Sequence, residues 1–190
     1  MTAPRSKRSR ARGVVVFLTG LSGSGKSTIA AALAADLEAA GRRVSIVDGD
    51  ELRRASAHLG FDAASREANV LRGAELAEER ARVGDIVIAA LMSPSERSRR
   101  LAREIVERSA AFVLVYVRAP LEVAEARDPK GLYARARAGE IKDFIGIHSP
   151  YEEPTDADVV IDTTTASVPD AVERIRHALG RKGEPGPKVD

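Results

Sequence analysis

The sequence predicts an α/β fold in three layers, with helices covering both faces of a parallel five-stranded sheet. Three observations predict it. Short apolar runs rich in β-branched residues alternate with longer helical patterns along the chain. Most of these runs are continuously apolar, as strands buried on both faces are. Polar residues able to do chemistry directly follow several of the runs, at the edge where such sheets bind ligands.

The individual elements follow in chain order from these patterns. Val14–Thr19 is predicted to be a buried strand that Gly20 ends, and the alanine- and leucine-rich Lys26–Ala40 a helix that Gly41 ends. The remaining predicted elements are the strands Val44–Val47, Asp85–Ala90, Phe112–Val117 and Val159–Asp162, the helices Glu67–Val83, Ser95–Arg108 and Val168–Leu179, and a short helix that Pro120 opens.

One domain is expected to span residues 13–179, since a chain of 190 residues suits a single core. Residues 1–12 carry basic but no acidic side chains, and we expect a disordered, solubilising tail there. Residues 180–190 are polar and rich in glycine and proline, which predicts a second disordered tail. Residues 128–157 have no clear period and several glycines and prolines, so we expect a long functional loop, a lid.

Composition excludes several classes of protein. No apolar stretch approaches the roughly 20 residues of a membrane helix. The absence of cysteine excludes disulfides and thiolate chemistry and fits a reducing compartment, so a cytoplasmic location is expected. The net charge of +2 comes from the tail: without residues 1–12, 25 basic residues face 28 acidic ones. A basic patch is therefore not indicated, and no nucleic-acid partner is expected.

Residues 20–27, GLSGSGKS, match the phosphate-binding pattern GxxxxGK[ST] between a strand and a helix. Glycines allow backbone N–H groups to turn inward around phosphate oxygens, and the helix adds the positive end of its dipole. Lys26 is expected to reach the β- and γ-phosphates, and the Ser27 hydroxyl to bind Mg²⁺. These observations predict a P-loop nucleotide fold with a nucleoside triphosphate and Mg²⁺ as cofactors, held by Gly20, Ser22, Gly23, Ser24, Gly25, Lys26, Ser27 and Thr28.

The phosphate loop is shared by several classes, and the rest of the chain favours a small-molecule kinase. The Asn-Lys-x-Asp element of guanine-specific switch proteins is not found, and mechanical ATPases usually need a longer chain. Asp48 and Asp50 follow the second strand, with Gly49 allowing a tight turn between them. One carboxylate can hold Mg²⁺ while the other accepts the proton of a substrate hydroxyl. The alternative is an Asp-Gly turn with solvated acids.

Further motifs resemble those of the adenylyl-sulfate kinases. In family order from about Val14 to Thr165, they are DGD-x-x-R, LGF-x₄-R-x₂-N, a Ser-Pro pair after the third strand, RDPKGLY, ARAGEI, F-x-G-I and YE-x-P. The consecutive RDPKGLY and ARAGEI are far more specific than the phosphate loop. The resemblance implies that ATP phosphorylates the 3′-hydroxyl of adenosine 5′-phosphosulfate, giving 3′-phosphoadenosine 5′-phosphosulfate and ADP.

The resemblance also implies roles for individual residues. Asp50 is the expected base, with Asp48 near Mg²⁺. Ser93 matches a serine sometimes labelled a phosphoserine intermediate, although direct in-line transfer needs only positioning and charge stabilisation. Arg127 is expected to stack on the ATP adenine, with Thr165 and Ala166 closing over it. Residues implied to hold the substrate are Asp48, Asp50, Arg53, Phe61, Arg66, Asn69, Ser93, Pro94, Lys130, Gly131, Leu132 and Phe144, the two phenylalanines sandwiching its adenine.

The chain departs from the family pattern at several positions, and the departures leave alternatives open. Glu51 and Glu96 would place additional acids near an anionic substrate. The alternatives are a kinase of the same fold that phosphorylates a different alcohol, and a catalytically weak nucleotide-binding regulatory protein. A homodimer is a further expectation from the resemblance. The other departures are Ser65, Ala68, Ser95, Ile145 and His148.

Overall fold

The computed structural model describes residues 13–55 and 62–182, which form a five-stranded parallel sheet with helices on both faces. The predicted tail at 1–12, residues 183–190 of the second predicted tail, and Phe61 lie outside the described residues. The second tail was predicted to begin at Gly180, but Gly180 and Arg181 are helical and end the last described helix. The strand order is β2-β3-β1-β4-β5. The strands are β1 (Val14–Thr19), β2 (Val44–Asp48), β3 (Ile86–Ala90), β4 (Ala111–Arg118) and β5 (Val159–Asp162).

Seven helices occupy the described part of the chain. The pair α1 and α7 packs on one face of the sheet and the pair α3 and α4 on the other. In chain order they are α1 (Lys26–Ala39), α2 (Gly49–Ala55), α3 (Ala63–Ala81), α4 (Glu96–Val106), α5 (Leu121–Arg127), α6 (Leu132–Arg137) and α7 (Val168–Arg181).

Strand β1 lies in the middle of the sheet, paired in parallel with both β3 and β4, and all six of its residues are buried. Its side chains alternate between the two cores: Val14, Val16 and Leu18 face α1 and α7, whereas Val15 and Phe17 face α3 and α4. The loop that follows β1 therefore emerges at the centre of the carboxyl edge.

The segment Asp48–Asp50 differs from the predicted tight turn, because Gly49 begins helix α2. The Asp48 carboxylate accepts hydrogen bonds from the backbone N–H groups of Asp50 (2.8 Å) and Glu51 (3.3 Å), as an N-terminal capping residue does. At seven residues, α2 is too short to show a helical period in the sequence.

Helix α3 begins at Ala63, four residues before the predicted start at Glu67. The Asp62 side chain accepts the N–H of Ser65 at 2.9 Å and caps the helix there. No helix within residues 13–55 or 62–182 is long and apolar enough to cross a membrane.

The predicted long loop at 128–157 is partly helical and has a small core of its own, which corrects that expectation. Helix α6 begins where both carboxylate oxygens of Asp128 accept backbone N–H groups, from Tyr133 (3.2 Å) and Ala134 (3.0 Å). Six residues are too few to show a period, and helix ends of this kind are set by the cap. This core, separate from the two beside the sheet, consists of Tyr133, Ala136, Ile141 and Phe144 of the segment together with Ala119 and Ala124, which precede it.

Candidate active site

The phosphate loop connects β1 to α1 in a backbone conformation that requires glycine. Gly23 and Gly25 have φ angles of 74° and 106°, in the left-handed region. A Cβ atom on Gly23 would lie 2.5 Å from the carbonyl oxygen of Ala124, so α5 packs directly against the loop. The loop is thus held in shape by its own glycines and by a neighbouring helix.

Lys26, the first residue of α1, folds its side chain back across the loop. Its Nζ donates to the carbonyl oxygens of Gly20 (2.9 Å) and Leu21 (2.7 Å). Burial lowers the pKa of Lys26 from 10.5 to about 8, and the neighbouring Asp50 and Asp48 oppose that shift. Its charge therefore lies in a poorly solvated setting, where it can interact strongly with phosphate.

The two acids after β2 point in different directions. Asp48 Oδ2 lies 3.4 Å from the Ser27 hydroxyl, which donates to it, at the start of α1. Asp50 forms an ion pair with Lys130 from the segment between α5 and α6. The acids are therefore already divided between the phosphate loop and the lid.

Ser27 and Asp48 offer an oxygen pair that fits Mg²⁺. Within the described ranges, no group of three or more His, Asp or Glu residues could hold a metal ion. Magnesium in phosphoryl-transfer sites needs no such cluster, because phosphate oxygens and water supply most of its ligands. One hydroxyl and one carboxylate beside the phosphate loop therefore suffice.

A cavity of about 1260 Å³ extends from the phosphate loop to α2, α3 and the lid. Many of the predicted site residues line it: Ser22, Gly23, Ser24, Gly25, Lys26, Ser27, Thr28, Asp48, Asp50, Arg53, Arg66, Asn69, Arg127, Lys130, Leu132, Phe144 and Ala166. The predicted residues Gly20, Ser93, Pro94, Gly131 and Thr165 are not among its lining residues.

The position of Ser93 does not support its predicted catalytic role. Its side chain is completely buried, and its hydroxyl lies 2.8 Å from that of Ser98 in α4. Its carbonyl oxygen accepts hydrogen bonds from Thr19 (3.1 Å) and Arg99 (3.0 Å). Ser93 thus links the loop after β3 to β1 and α4 by hydrogen bonds.

The half of the cavity distant from α1 is basic. Arg53 on α2, Arg66 on α3 and Lys130 line it. Burial, the larger effect, lowers the pKa of Arg53, while Asp50 acts in the opposite direction. Asn69 donates from Nδ2 to the Gly49 carbonyl at 3.2 Å, and its buried Oδ1 has no hydrogen-bond partner among the described residues. This half can accept an anion and a hydrogen-bond donor.

Phe144 forms an apolar wall of the same half and is held from two sides. Its ring meets that of Tyr133 edge-on, with centroids 5.0 Å apart. Its backbone N–H donates to Nδ1 of His148 at 3.1 Å. The aromatic face is therefore held in place from two directions.

At the other end of the cavity, Arg127, the last residue of α5, links that helix to the loop after β5. Its guanidinium donates to the Thr163 hydroxyl (2.9 Å) and carbonyl (3.0 Å), and to the Gly23 carbonyl at 3.4 Å. Thr163 lines the cavity and was not predicted. The other lining residues that lie outside the quoted motifs and were not predicted are Ile29, Arg54, Ala90, Met92, Arg135, Asp143, Ile161, Ser167, Val168 and Ala171.

The departures from the family pattern fall in different places. Glu51 lines the cavity, but Glu96 does not: it begins α4, and its backbone N–H donates to the Glu152 carboxylate. Only one of the two additional acids therefore lies at the site. Ile145 also lines the cavity, while Ser95 caps α4, Ser65 bonds to the cap of α3 and Ala68 is exposed.

A phosphate loop at the centre of a five-stranded parallel sheet, paired acids and a second, basic half-site define a P-loop kinase of a small molecule. The sequence profile described as Adenylylsulphate kinase matches residues 12–162. The chain belongs to the adenylyl-sulfate kinase family.

Individual relatives agree with this assignment. The chain is 52% identical over 168 residues to an adenylyl-sulfate kinase of Paraburkholderia xenovorans, covering 88% of this chain and 93% of the relative. It is 44% identical over 172 residues to one of Shewanella amazonensis, covering 90% and 86%. Its fold is similar to the Mycobacterium tuberculosis APS kinase in complex with AMPPNP and APS, with a TM-score of 0.85, 39% identity and coverage of 89% and 98%. The predicted fold, family and enzyme class, an ATP-dependent phosphotransferase, are confirmed.

Proposed function

We propose that this chain transfers the γ-phosphoryl group of ATP to the 3′-hydroxyl of adenosine 5′-phosphosulfate. The observation that carries the proposal is that one cavity contains both the phosphate loop and the basic side chains of Arg53, Arg66 and Lys130. Its volume of about 1260 Å³ exceeds that of an ordinary ligand pocket, roughly 300–1000 Å³, and suits two nucleotides side by side.

On the donor side, the backbone N–H groups of the phosphate loop and Lys26 bind the ATP phosphates. Ser27 and Asp48 would hold Mg²⁺, which supplies charge neutralisation between the β- and γ-phosphates. Arg127 lies at the adenine end, where its planar guanidinium can stack on the base.

On the acceptor side, Arg53, Arg66 and Lys130 offer positive charge to the phosphosulfate group. Phe144 presents an aromatic face to the substrate adenine. The resemblance places Phe61 on the opposite face of that adenine, and this assignment stays a prediction because Phe61 lies outside the described residues. Such a site favours a flat base joined to an anionic tail.

In the transfer step, Asp50 accepts the proton of the 3′-hydroxyl as that oxygen bonds to the γ-phosphorus. The bond from the γ-phosphorus to the β-bridging oxygen breaks, and ADP leaves with those electrons. Lys130 is the ion-pair partner of Asp50 before substrate binds. When the phosphosulfate group binds, it competes with Asp50 for Lys130. Lys130 then positions the anion, and the Asp50 carboxylate becomes free to accept the proton.

The test is to incubate the purified chain with ATP, Mg²⁺ and adenosine 5′-phosphosulfate and to measure 3′-phosphorylated product against ADP formed. One product per ADP is expected, with AMP, which has no sulfate, as the matched poorer acceptor. Equal or faster phosphorylation of AMP, or ADP without product, would contradict the proposal.

The assignment of the two acids is tested by a pair of isosteric variants. Asp50→Asn should lose at least a hundredfold in kcat while ADP affinity stays within about threefold, because only the base is removed. Asp48→Asn should chiefly raise the Mg²⁺ concentration needed for half-maximal rate. The reverse pattern would exchange the two roles.

We infer two further properties that rest on the resemblance and on composition. A homodimer is expected, and light scattering coupled to size-exclusion chromatography measures it directly. A cytoplasmic location is expected because a chain without cysteine fits a reducing compartment. Fractionation of cells that express the full chain tests that location.

A further inference from the structure

Tyr133 connects the phosphate loop to the wall of the acceptor half. It lies on α6, its side chain is 1% exposed, and its hydroxyl donates to the Ser22 carbonyl oxygen at 3.0 Å. Its ring packs edge-on against Phe144 with centroids 5.0 Å apart. One buried side chain therefore touches both halves of the cavity, although neither contact reaches a substrate directly.

The contact with Ser22 determines which way one peptide group of the loop points. A trans peptide is planar, so its C=O and the following N–H point in opposite directions. When Tyr133 holds the Ser22 carbonyl on the lid side, the N–H of Gly23 is turned the other way. Ser22 and Gly23 both line the cavity, and loop N–H groups of this kind cradle phosphates.

The surroundings keep Tyr133 in one position and one protonation state. Asp128 accepts the Tyr133 backbone N–H at 3.2 Å and caps α6. Burial, with Asp128 and Glu125 nearby, raises the pKa of Tyr133 to about 12, so its phenol remains a hydrogen-bond donor at any working pH. Tyr133 therefore continues to donate its hydrogen bond to the Ser22 carbonyl oxygen as the pH changes.

We propose that Tyr133 is a positioning residue for phosphoryl transfer: its hydroxyl orients the Ser22–Gly23 peptide toward the ATP phosphates, and its ring sets Phe144 in the acceptor half. For the acceptor half, the inference rests on the proposed function. For the phosphate loop it does not, because nucleotide binding can be measured without any acceptor.

Two variants distinguish the contacts, because one removes only the hydroxyl and the other removes the hydroxyl and the ring. Tyr133→Phe deletes only the hydroxyl and keeps the ring. It is expected to lower kcat about tenfold and to weaken ADP binding about fivefold, as the loss of one well-oriented hydrogen bond does, with the KM of adenosine 5′-phosphosulfate unchanged. Tyr133→Leu also removes the ring contact and should raise that KM as well.

Tyr116→Phe is the matched control. Tyr116 is a buried tyrosine on β4 that stacks on Tyr151, with ring centroids 5.9 Å apart, and does not line the cavity. It should leave kcat, KM and ADP affinity unchanged. Thermal unfolding of all three variants measures any general loss of stability, and kinetics are compared well below the lowest midpoint.

Wild-type kcat and wild-type ADP affinity in Tyr133→Phe would overturn the proposal, and so would a lower unfolding midpoint as its only change. A combined variant adds a second measurement: Phe144→Leu should add its full effect on KM to Tyr133→Phe but little to Tyr133→Leu. If wild type makes no 3′-phosphorylated product, the proposed function fails, while the ADP affinities still decide the role of Tyr133 at the phosphate loop.

Discussion

Lys26 is a charged residue whose surroundings disfavour its charge until phosphate arrives. Burial lowers its pKa to about 8, and two loop carbonyls accept its hydrogen bonds. The same poor solvation strengthens its attraction for a polyphosphate, because less water competes with the pair. The lysine proposed to bind phosphate is therefore also one that gives up its proton readily.

Nucleotide binding should consequently take up protons at alkaline pH. Above about pH 8 part of the Lys26 population is neutral, and the negative charge of bound ADP should raise its pKa and reprotonate it. At about pH 8.5, we expect ADP binding to the wild-type protein to take up a large fraction of a proton more than ADP binding to Lys26→Met does. Calorimetry in buffers of different ionisation enthalpy measures this uptake.

The pH dependence of the free energy of unfolding tests the lowered pKa of Lys26 independently. The folded pKa of about 8 lies below the ordinary 10.5, so the unfolded chain binds more protons between those values. The contribution of Lys26 to the free energy of unfolding therefore rises with pH across that window. Lys26→Met should lack this rise, and identical pH profiles in the two proteins would contradict the shifted pKa.

Glu51 and Glu96 allow the effect of an acid at the site to be compared with that of an acid elsewhere, since of the two only Glu51 lines the cavity. Glu51→Gln should lower the KM of adenosine 5′-phosphosulfate severalfold at low salt, because it removes repulsion of about 1 kcal/mol in water-like surroundings. Salt should reduce the difference. Glu96→Gln is the control and should change nothing, and equal effects of both variants would mean that Glu51 does not face the substrate.

At the scale of elements, the segment from α5 to β5 is a small packed unit attached to the sheet at two points. Tyr133 and Arg127 bind the phosphate loop at its beginning. At its end, the Tyr151 hydroxyl lies 2.9 Å from that of Thr19, and Glu152 N–H donates to the Pro94 carbonyl at 2.8 Å. Its middle, around Phe144, is held by contacts within the segment and by Arg66 of α3, which donates to the Asp143 carbonyl oxygen at 2.5 Å.

Hydrogen exchange should distinguish these parts. Amides in residues 128–149 are expected to gain protection when ADP and adenosine 5′-phosphosulfate bind together, because the proposed function places Lys130 and Phe144 against the substrate. Amides of β4 should be equally protected in both states and serve as the internal control. Equal exchange of residues 128–149 with and without ligands would mean that the segment is a fixed wall and not a lid.

At the scale of the whole molecule, the site depends on two cores that sandwich one sheet. The core on the α1 and α7 side includes Ile175, which is completely buried. Ile175 itself does not line the cavity, although Ala171, one turn earlier on α7, does. A substitution at Ile175 therefore tests stability with no direct change to the cavity lining.

Ile175→Ala should therefore lower the free energy of unfolding by about 2–4 kcal/mol, the usual result of emptying a packed site. Its kcat should match wild type well below the unfolding midpoint. Val160→Ala, on the edge strand β5 at 40% exposure, is the control and should change stability by about 0.5 kcal/mol or less. Denaturant titration measures both, and a large loss of kcat in folded Ile175→Ala would show that α7 positions the site.

The amino-acid sequence by itself determined the strands, the long helices and the phosphate loop. These features are written in local patterns: continuous apolar runs, alanine- and leucine-rich helices, and glycines spaced for a phosphate cradle. The seven-residue α2 and six-residue α6 were not predicted, because their ends depend on the side chains of Asp48 and Asp128 more than on any repeating pattern.

Only the tertiary structure decided which residues meet. Tyr133 lies 111 positions from Ser22 along the chain, and no local pattern predicts that its hydroxyl holds that carbonyl. The same holds for Ser93, whose motif indicated a site residue but whose hydroxyl is turned toward α4. Periodicity reports which face of an element is apolar, whereas contacts between distant segments follow from how the lid and the loops pack around one cavity.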